Sequence, residues 1–464
     1  MNGTFKYKYL FFIIANIALV TVGFIYENVW IATVGTLIFW VLCFCWSISK
    51  IRNRMAFFLF LVCFLLFLLG QYITFLFNDG SLKFDEATNL FILELLVVSL
   101  ICLWIGHKLY EGKNKNQNKD IEIRQIKWVL SMRKISSLSF WITAPLYFAN
   151  IMNRVTFVRE YSYLESYTLY TGSTTILSYG QIICQTSFFI YLATMPSKKR
   201  SKYLIIAYLI INCLSLNAGG RATAVSSILL IVFYFMYREY NREESEEKWI
   251  KKIYIVIGII AFPLLIIFLS FWGYYRMDDF SSLQKMSLQD HIWNFISASG
   301  SSSDIIGYTK QFEDYLPETN MNYSFGYLIN FIRSTPLFGG ISYQQNTVEM
   351  AMNGNSLGQT LSYFVMPYTY LNGGGLGSCY IAENWVDFGL LGVSLFNIFL
   401  GYILGWLSNF GKRNVFQVMI CLMVMKNIFI LPRETFLYVI RDFTSIIFLL
   451  TCIGVAIVAK AISR

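Results

Sequence analysis

The sequence contains few charged residues and almost no histidine. Charged residues make up 14% of its 464 positions, and its only histidines are His107 and His291. So little charge excludes an ordinary soluble domain, and two distant histidines exclude a histidine-based metal centre. The nine cysteines lack the spacing of a zinc site, and eight lie within apolar segments. The sequence therefore predicts no metal site and no external disulfide.

Several nucleotide and repeat signatures are also missing. The glycine-rich stretch 372–378 does not match a P-loop and is interpreted as a hinge. No nucleotide-sugar motif is present, and no cofactor is predicted. The chain has no internal repeat, which argues against a transporter built from inverted repeats.

Long apolar segments dominate the chain, in which 56% of residues are hydrophobic. Most of these segments approach the ~17–25 residues that cross ~30 Å of hydrocarbon. We therefore predict an all-α, polytopic integral membrane protein with about 12 transmembrane helices, folded as a single membrane domain over 1–464. The predicted spans are 9–26, 29–48, 55–77, 90–110, 135–152, 174–195, 203–216, 221–238, 253–275, 379–407, 414–431 and 440–460.

Basic residues are distributed unevenly between the two sides of this predicted membrane. With twelve spans, 26 of the 37 Lys and Arg residues fall on one side, which predicts that both termini are cytoplasmic. The net charge of +10 is thereby explained by topology and gives no case for nucleic-acid binding. The segment 276–378 is predicted to be one large external loop containing short helices. Loops of this length are usually functional.

The predicted external side is rich in arginine relative to lysine. It carries seven Arg and three Lys, whereas the opposite side carries nine Arg and seventeen Lys. Planar guanidinium groups bind phosphate or carboxylate in a bidentate manner, so this set predicts binding of an anionic substrate. The candidate substrate-binding residues are Arg154, Arg159, Arg221, Arg276, Arg333, Arg433 and Arg441.

Two motifs open predicted spans on that side. Gly219-Gly220-Arg221-Ala222 allows close backbone approach and puts Arg221 at a helix N-terminus, which favours an anion. Ala382-Glu383 is followed by Asp387 on the same helical face. Intramembrane carboxylates are functional candidates by default. We interpret Glu383 as the functional carboxylate and Asp387 with Lys426 as a structural ion pair.

Together these features resemble the Wzy-type oligosaccharide repeat-unit polymerases, the O-antigen polymerase family. The resemblance rests on Gly219-Gly220-Arg221-Ala222, on Ala382-Glu383 followed by Phe388-Gly389, and on one large external loop between them. Some family members carry an Arg followed eleven residues later by Gly in external loops. No external Arg here has that spacing, so the motif assigns no arginine.

The resemblance implies a membrane glycosyltransferase that acts on undecaprenyl-pyrophosphate-linked glycans in the cytoplasmic (inner) membrane, among membrane lipids. It also implies a chain-length regulator protein as a partner. In this chemistry arginines stabilise the departing pyrophosphate, and a carboxylate or imidazole deprotonates the acceptor hydroxyl. The predicted base is Glu383, with His291 as the reserve.

Two other functions remain compatible with the sequence. A glycan ligase transfers finished polymer to another acceptor and needs similar groups. A lipid-linked oligosaccharide flippase or other transporter also has about twelve spans, although its polar groups usually line the midplane.

Overall fold

The computed structural model describes residues 19–78, 80–113, 127–170, 172–242, 246–276, 286–317, 322–409 and 414–463. These residues form helices, turns and irregular connections, and no β-strand occurs among them. This confirms the predicted all-α class. The apolar composition explains it, because a helix satisfies its own backbone hydrogen bonds in lipid.

Ten helices of the described chain are long and apolar enough to cross a membrane. We label the helices α1 to α8 before the long loop segment and α13 to α15 after it. These labels cover the ten spanning helices and the shorter apolar helix α14. They are α1 Val29–Ser49, α2 Ile51–Phe77, α3 Glu86–Lys113, α4 Lys127–Glu160, α5 Thr175–Ala193, α6 Lys198–Leu214, α7 Arg221–Tyr240, α8 Lys252–Arg276, α13 Tyr380–Leu407, α14 Val415–Ile428 and α15 Ile446–Ser463.

Three of the twelve predicted spans differ substantially in the structure, and one lies partly outside the described residues. The fifth, 135–152, extends over the whole of α4, Lys127–Glu160. The prediction 9–26 is described only from residue 19, where 19–25 are helical. The eleventh span is the short helix α14, which has 14 residues. Pro432 and a 3₁₀ turn follow it, since proline cannot continue an α-helix. The twelfth span begins at Ile446 instead of 440, because Phe436–Phe443 forms a separate 3₁₀ segment.

The centre of the molecule is the pair α3 and α13, which pack against each other along their length. Gly106 of α3 lies against the carbonyl of Ile398, and Gly401 of α13 lies against the carbonyl of Leu103. Small residues let two membrane helices approach at backbone distance, where packing replaces the hydrophobic driving force. This pair fixes α13, whose N-terminal end carries Glu383.

A second group consists of α4, α5 and α15, with α14 packed on α5. Helices α8 and α15 bury little of their surface in the protein. Their isoleucine, leucine and phenylalanine side chains point outward, as expected for helices that face lipid.

The segment between α8 and α13 contains the short helices that the sequence predicts. The four longest among the described residues are α9 Leu288–Gly300, α10 Asp304–Gln311, α11 Gly326–Ser334 and α12 Leu357–Val365. Ser287 and Asp290 form a capping box that starts α9. Helix α9 packs on α2 and α8, and α10 packs on α3. These helices therefore cover one end of the bundle, which we call the loop face.

Candidate functional site

A polar cavity of about 300 Å³ lies at the loop face between α5, α7 and α14. Successive spans alternate in direction, so the starts of α5 and α7 and the end of α14 all lie at this face. The 3₁₀ segment Phe436–Phe443 forms one wall. Polar and charged side chains of this cavity include Gln181, Gln185, Lys426, Tyr438, Arg441 and Asp442.

The charged groups of the cavity are two cations and one carboxylate. Lys426 is 8% exposed, whereas Arg441 is an exposed residue. Arg441 Nη1 donates a hydrogen bond to Tyr438 Oη at 2.9 Å, which fixes the guanidinium beside the cavity. Asn427 Nδ2 donates to Asp442 Oδ2 at 3.3 Å. The lining thus has an excess of positive charge in a partly enclosed space, where electrostatic attraction is stronger than in water.

The predicted Asp387–Lys426 ion pair is wrong. Asp387 instead accepts hydrogen bonds from the backbone N–H groups of Tyr323 and Ser324, at 3.0 and 2.6 Å. The ion pairs between described residues do not include it. Similar depth in the bilayer does not make two residues neighbours, and Lys426 belongs to the cavity.

Glu383 is completely buried, and both of its oxygens accept hydrogen bonds. Ser378 Oγ donates to Oε1 at 2.7 Å, and the backbone N–H of Phe436 donates to Oε2 at 3.0 Å. Glu383 does not line the cavity in this conformation. Its hydrogen bond to Phe436 nevertheless connects it to the cavity, because Phe436 begins the 3₁₀ segment that carries Tyr438, Arg441 and Asp442.

Gly389 breaks α13 just after Asp387. Its dihedral angles are φ 61° and ψ −155°, a region that is open essentially to glycine alone. The break separates a short loop-face half-helix, which bears Glu383 and Asp387, from the long half that packs on α3. Each carboxylate of the half-helix is bound to backbone N–H groups of a different segment. The half-helix therefore joins α11 and the 3₁₀ segment to the bundle.

Glu434 lies beside the same segment, close to Arg433 and Arg441. Burial raises the pKa of Glu434 to about 7, and the two arginines oppose that rise. This carboxyl group consequently changes charge near neutral pH.

Arg221 begins α7 at the edge of the cavity. Gly219 adopts φ 80° and ends the preceding turn, and Gly220 is the N-cap of α7. The next residues, Ala222 and Thr223, line the cavity, and the guanidinium of Arg221 lies against Gly273 of α8. The sequence motif thus leads to the border of the polar cavity.

Two further candidates lie on the last turns of α4. Arg154 is half-buried about 5.9 Å from the ring centre of Tyr167, and its Nε is buried without a hydrogen-bond partner. Arg159 is exposed. Neither residue lines the cavity.

The remaining arginines are distributed over the loop face. Arg333 donates to Asn353 O at 2.8 Å and to Asn355 Oδ1 at 3.1 Å, so it holds the loop segment together. Arg433 lies 5.4 Å from the ring centre of Phe67, in the π-helical turn of α2. Arg276 ends α8, but its side chain lies outside the described residues.

His291 of α9 is buried, with its Nδ1 3.2 Å from Ser270 Oγ of α8. Its described contacts are with α8 and do not include the cavity. Among the described residues, no group of three or more His, Cys, Asp or Glu is placed to hold a metal ion.

The model of the family O-antigen polysaccharide polymerase Wzy matches residues 8–464 of this chain. The chain belongs to this family. Searches of curated proteins and of solved structures give no match. Family membership supports polymerisation of O-antigen repeat units and makes the protein a multi-pass membrane enzyme of polysaccharide synthesis.

Sequence reasoning did not assign Lys426, Asp442, Gln181 or Gln185 to the site. A signal existed for Lys426, because a lysine within an apolar span is a functional candidate by itself. Asp442 carried the same signal, since it lies inside the predicted span 440–460, but it was not assigned either. The convergence of these residues depends on how the helices pack.

Proposed function

We propose that the protein polymerises undecaprenyl-pyrophosphate-linked repeat units at the external face of the cytoplasmic membrane. The growing glycan is transferred from its lipid pyrophosphate to a hydroxyl group of a new lipid-linked repeat unit. The observation that carries this proposal is the cationic cavity at the loop face of a chain that belongs to the Wzy family.

The chemistry of the cavity suits a pyrophosphate leaving group. Lys426 and Arg441 supply positive charge without a metal ion, and Gln181, Gln185 and Tyr438 supply further polar groups. Hydrogen bonds from charged donors to phosphate oxygens are stronger than neutral ones. Groups fixed before the reaction stabilise the charge that develops as the anomeric C–O bond breaks.

The other candidate residues are assigned roles according to their distance from the cavity. Arg221 and Arg433 adjoin the cavity or its 3₁₀ wall, so we assign them to substrate phosphates. Arg154, Arg159, Arg276 and Arg333 are proposed to contact more distant parts of the glycan or the lipid headgroups. The sequence predictions of Glu383 and His291 as bases are not tested by these contacts; both side chains are buried, and neither lines the cavity.

The proposed topology places the loop face outside the cell, with both termini in the cytoplasm. The excess of lysine on the opposite face supports it. A single cysteine introduced at the exposed Asp314 should react with an impermeant maleimide added to intact cells or spheroplasts. A cysteine at Lys115 should react only after lysis, and labelling of Lys115 from outside would reverse the topology.

A reconstituted reaction tests the function itself. Purified protein in lipid nanodiscs is given a synthetic lipid-pyrophosphate-linked repeat unit, and products are resolved as a ladder. We expect chains of several repeat units, which require no finished polymer and no second acceptor. Release of single units across the bilayer without new glycosidic bonds would favour a flippase. Transfer only to a foreign acceptor would favour a ligase.

Addition of a chain-length regulator protein tests the partner. We expect it to narrow the ladder without being required for bond formation.

A further inference from the structure

The loop face has several carboxyl groups, but their environments differ sharply. Glu383 and Asp387 use both oxygens as acceptors for hydrogen bonds from the protein. Asp304 is buried and accepts a hydrogen bond from Gln71 at 3.1 Å. Glu434 lies beside two arginines but does not line the cavity. In the described part of the chain, Asp442 is the one carboxylate that lines it.

Asp442 is also held with one oxygen available. Asn427 donates to Oδ2, whereas Oδ1 accepts no hydrogen bond from the described residues. No ion pair between described residues joins Asp442 to Lys426 or to Arg441, although Arg441 precedes it in the chain and interacts with it electrostatically. An accessible carboxylate that is oriented by one hydrogen bond and kept near cations has the features of a general base.

We propose that Asp442 is the general base of the transfer reaction and that Glu383 is a positioning residue. This inference rests on the proposed function. The acceptor hydroxyl oxygen forms a bond to the anomeric carbon of the donor, and the bond from that carbon to the pyrophosphate oxygen breaks. The electron pair of the broken bond stays on the pyrophosphate, next to Lys426 and Arg441. The hydroxyl proton passes to Asp442 Oδ1 and then to water.

Glu383 acts through the backbone in this arrangement. Its Oε2 accepts from the N–H of Phe436, the first residue of the 3₁₀ segment, so it sets the position of Arg441 and Asp442. A glutamine at 383 retains a carbonyl oxygen for Phe436 and an amide for the Ser378 hydroxyl. The substitution therefore preserves the positioning role but removes a carboxylate base.

The experiment compares Asp442→Asn, Glu383→Gln and the control Asp314→Asn, an exposed loop-face residue. Each protein is reconstituted in nanodiscs, and donor binding and single-bond turnover are measured separately. We expect Asp442→Asn to reduce turnover by roughly 100-fold or more, the scale of general-base loss. Its donor Kd should remain within about 3-fold of that of the native protein, because the cations remain. Glu383→Gln should retain most of the turnover, and Asp314→Asn all of it.

A chemical rescue separates a base from a structural group. Asp442→Ala leaves space in the cavity, and added formate is expected to restore part of its turnover in proportion to formate concentration, with no effect on Asp314→Asn.

Near-native turnover of Asp442→Asn would overturn the proposal. So would a large turnover loss in Glu383→Gln with normal binding, which would make Glu383 the base. If the native protein itself forms no glycosidic bond, the proposed function fails instead. An Asp442→Ala protein that binds donor but gains nothing from formate also overturns the base role.

Discussion

The cavity and the broken half of α13 are both polar regions in an apolar molecule, but they are built in opposite ways. In the cavity, Lys426, Arg441 and Asp442 face open space. In the half-helix, Glu383 is buried and Asp387 is half-buried, and both are bound to backbone N–H groups. A carboxylate whose oxygens are all occupied by the protein is suited to hold segments together. A carboxylate that faces a cationic cavity is suited to meet substrate.

The largest expected effect comes from removing the cavity's positive charge. Lys426→Met and Arg441→Met together should weaken donor binding by roughly 100-fold or more. Each lost hydrogen bond from a charged group is worth about 1.5–3 kcal/mol. Binding of fluorescent lipid-pyrophosphate donor in nanodiscs measures this. Lys310→Met is the matched control, because Lys310 is an exposed loop-face cation paired with Glu313. An equal loss of donor affinity in the double variant and in Lys310→Met would show that the cavity cations have no special role in binding.

The next test addresses the half-helix through Gly389. An alanine at 389 would meet no atom within 4 Å, so its cost comes from the positive φ alone. Such strain is worth about 1–3 kcal/mol, and we expect lower thermal stability together with a turnover loss of about 10-fold. Gly258→Ala provides the control, since Gly258 in α8 also has open space but an ordinary helical conformation. Both are compared by thermal unfolding and by the ladder assay. If Gly389→Ala matches Gly258→Ala, the break in α13 is not needed.

Arg221 combines features of both regions: it is the first residue of helix α7, and it borders the cavity. Replacing it with lysine keeps the charge but loses the planar fork. We expect Arg221→Lys to lose most polymerisation, about 10-fold, at normal membrane levels, as measured by polymer ladders and immunoblots. Full polymer length and amount in Arg221→Ala would reduce Arg221 to an interfacial anchor.

The smallest expected effect is a dependence of donor binding on pH. Burial raises the pKa of Glu434 to about 7, so this group is neutral below pH 7 and negative above it. Ionised Glu434 offsets the positive charge of Arg433 and Arg441. The other titratable groups near these arginines are Tyr438 and Asp442, within the 3₁₀ segment, and Glu383, which is bound to it. Donor affinity should therefore fall a few-fold as pH rises from about 6 to 8. Glu434→Gln should flatten this dependence. An unchanged pH profile in Glu434→Gln would assign it to another group.

Much of the fold follows from the sequence because lipid imposes strict rules. Apolar length identifies spans such as Val29–Ser49 and Glu86–Lys113. The rules become weak where a span is short or interrupted. The predicted span 414–431 extends the fourteen residues of α14 through the apolar residues Phe429, Ile430 and Leu431. The 3₁₀ segment Phe436–Phe443 is apolar enough to resemble the start of a helix.

The sequence by itself determined the helical membrane class, the arginine-rich side and the motifs around Arg221 and Glu383. It did so because hydrophobic length, charge asymmetry and helix termini are local properties of the chain. Only the tertiary structure decided that Asp387 binds backbone N–H groups, that Glu383 is enclosed, and that Lys426 and Asp442 share a cavity. Those facts depend on which helices pack together and on the break at Gly389, and hydropathy contains no information about either.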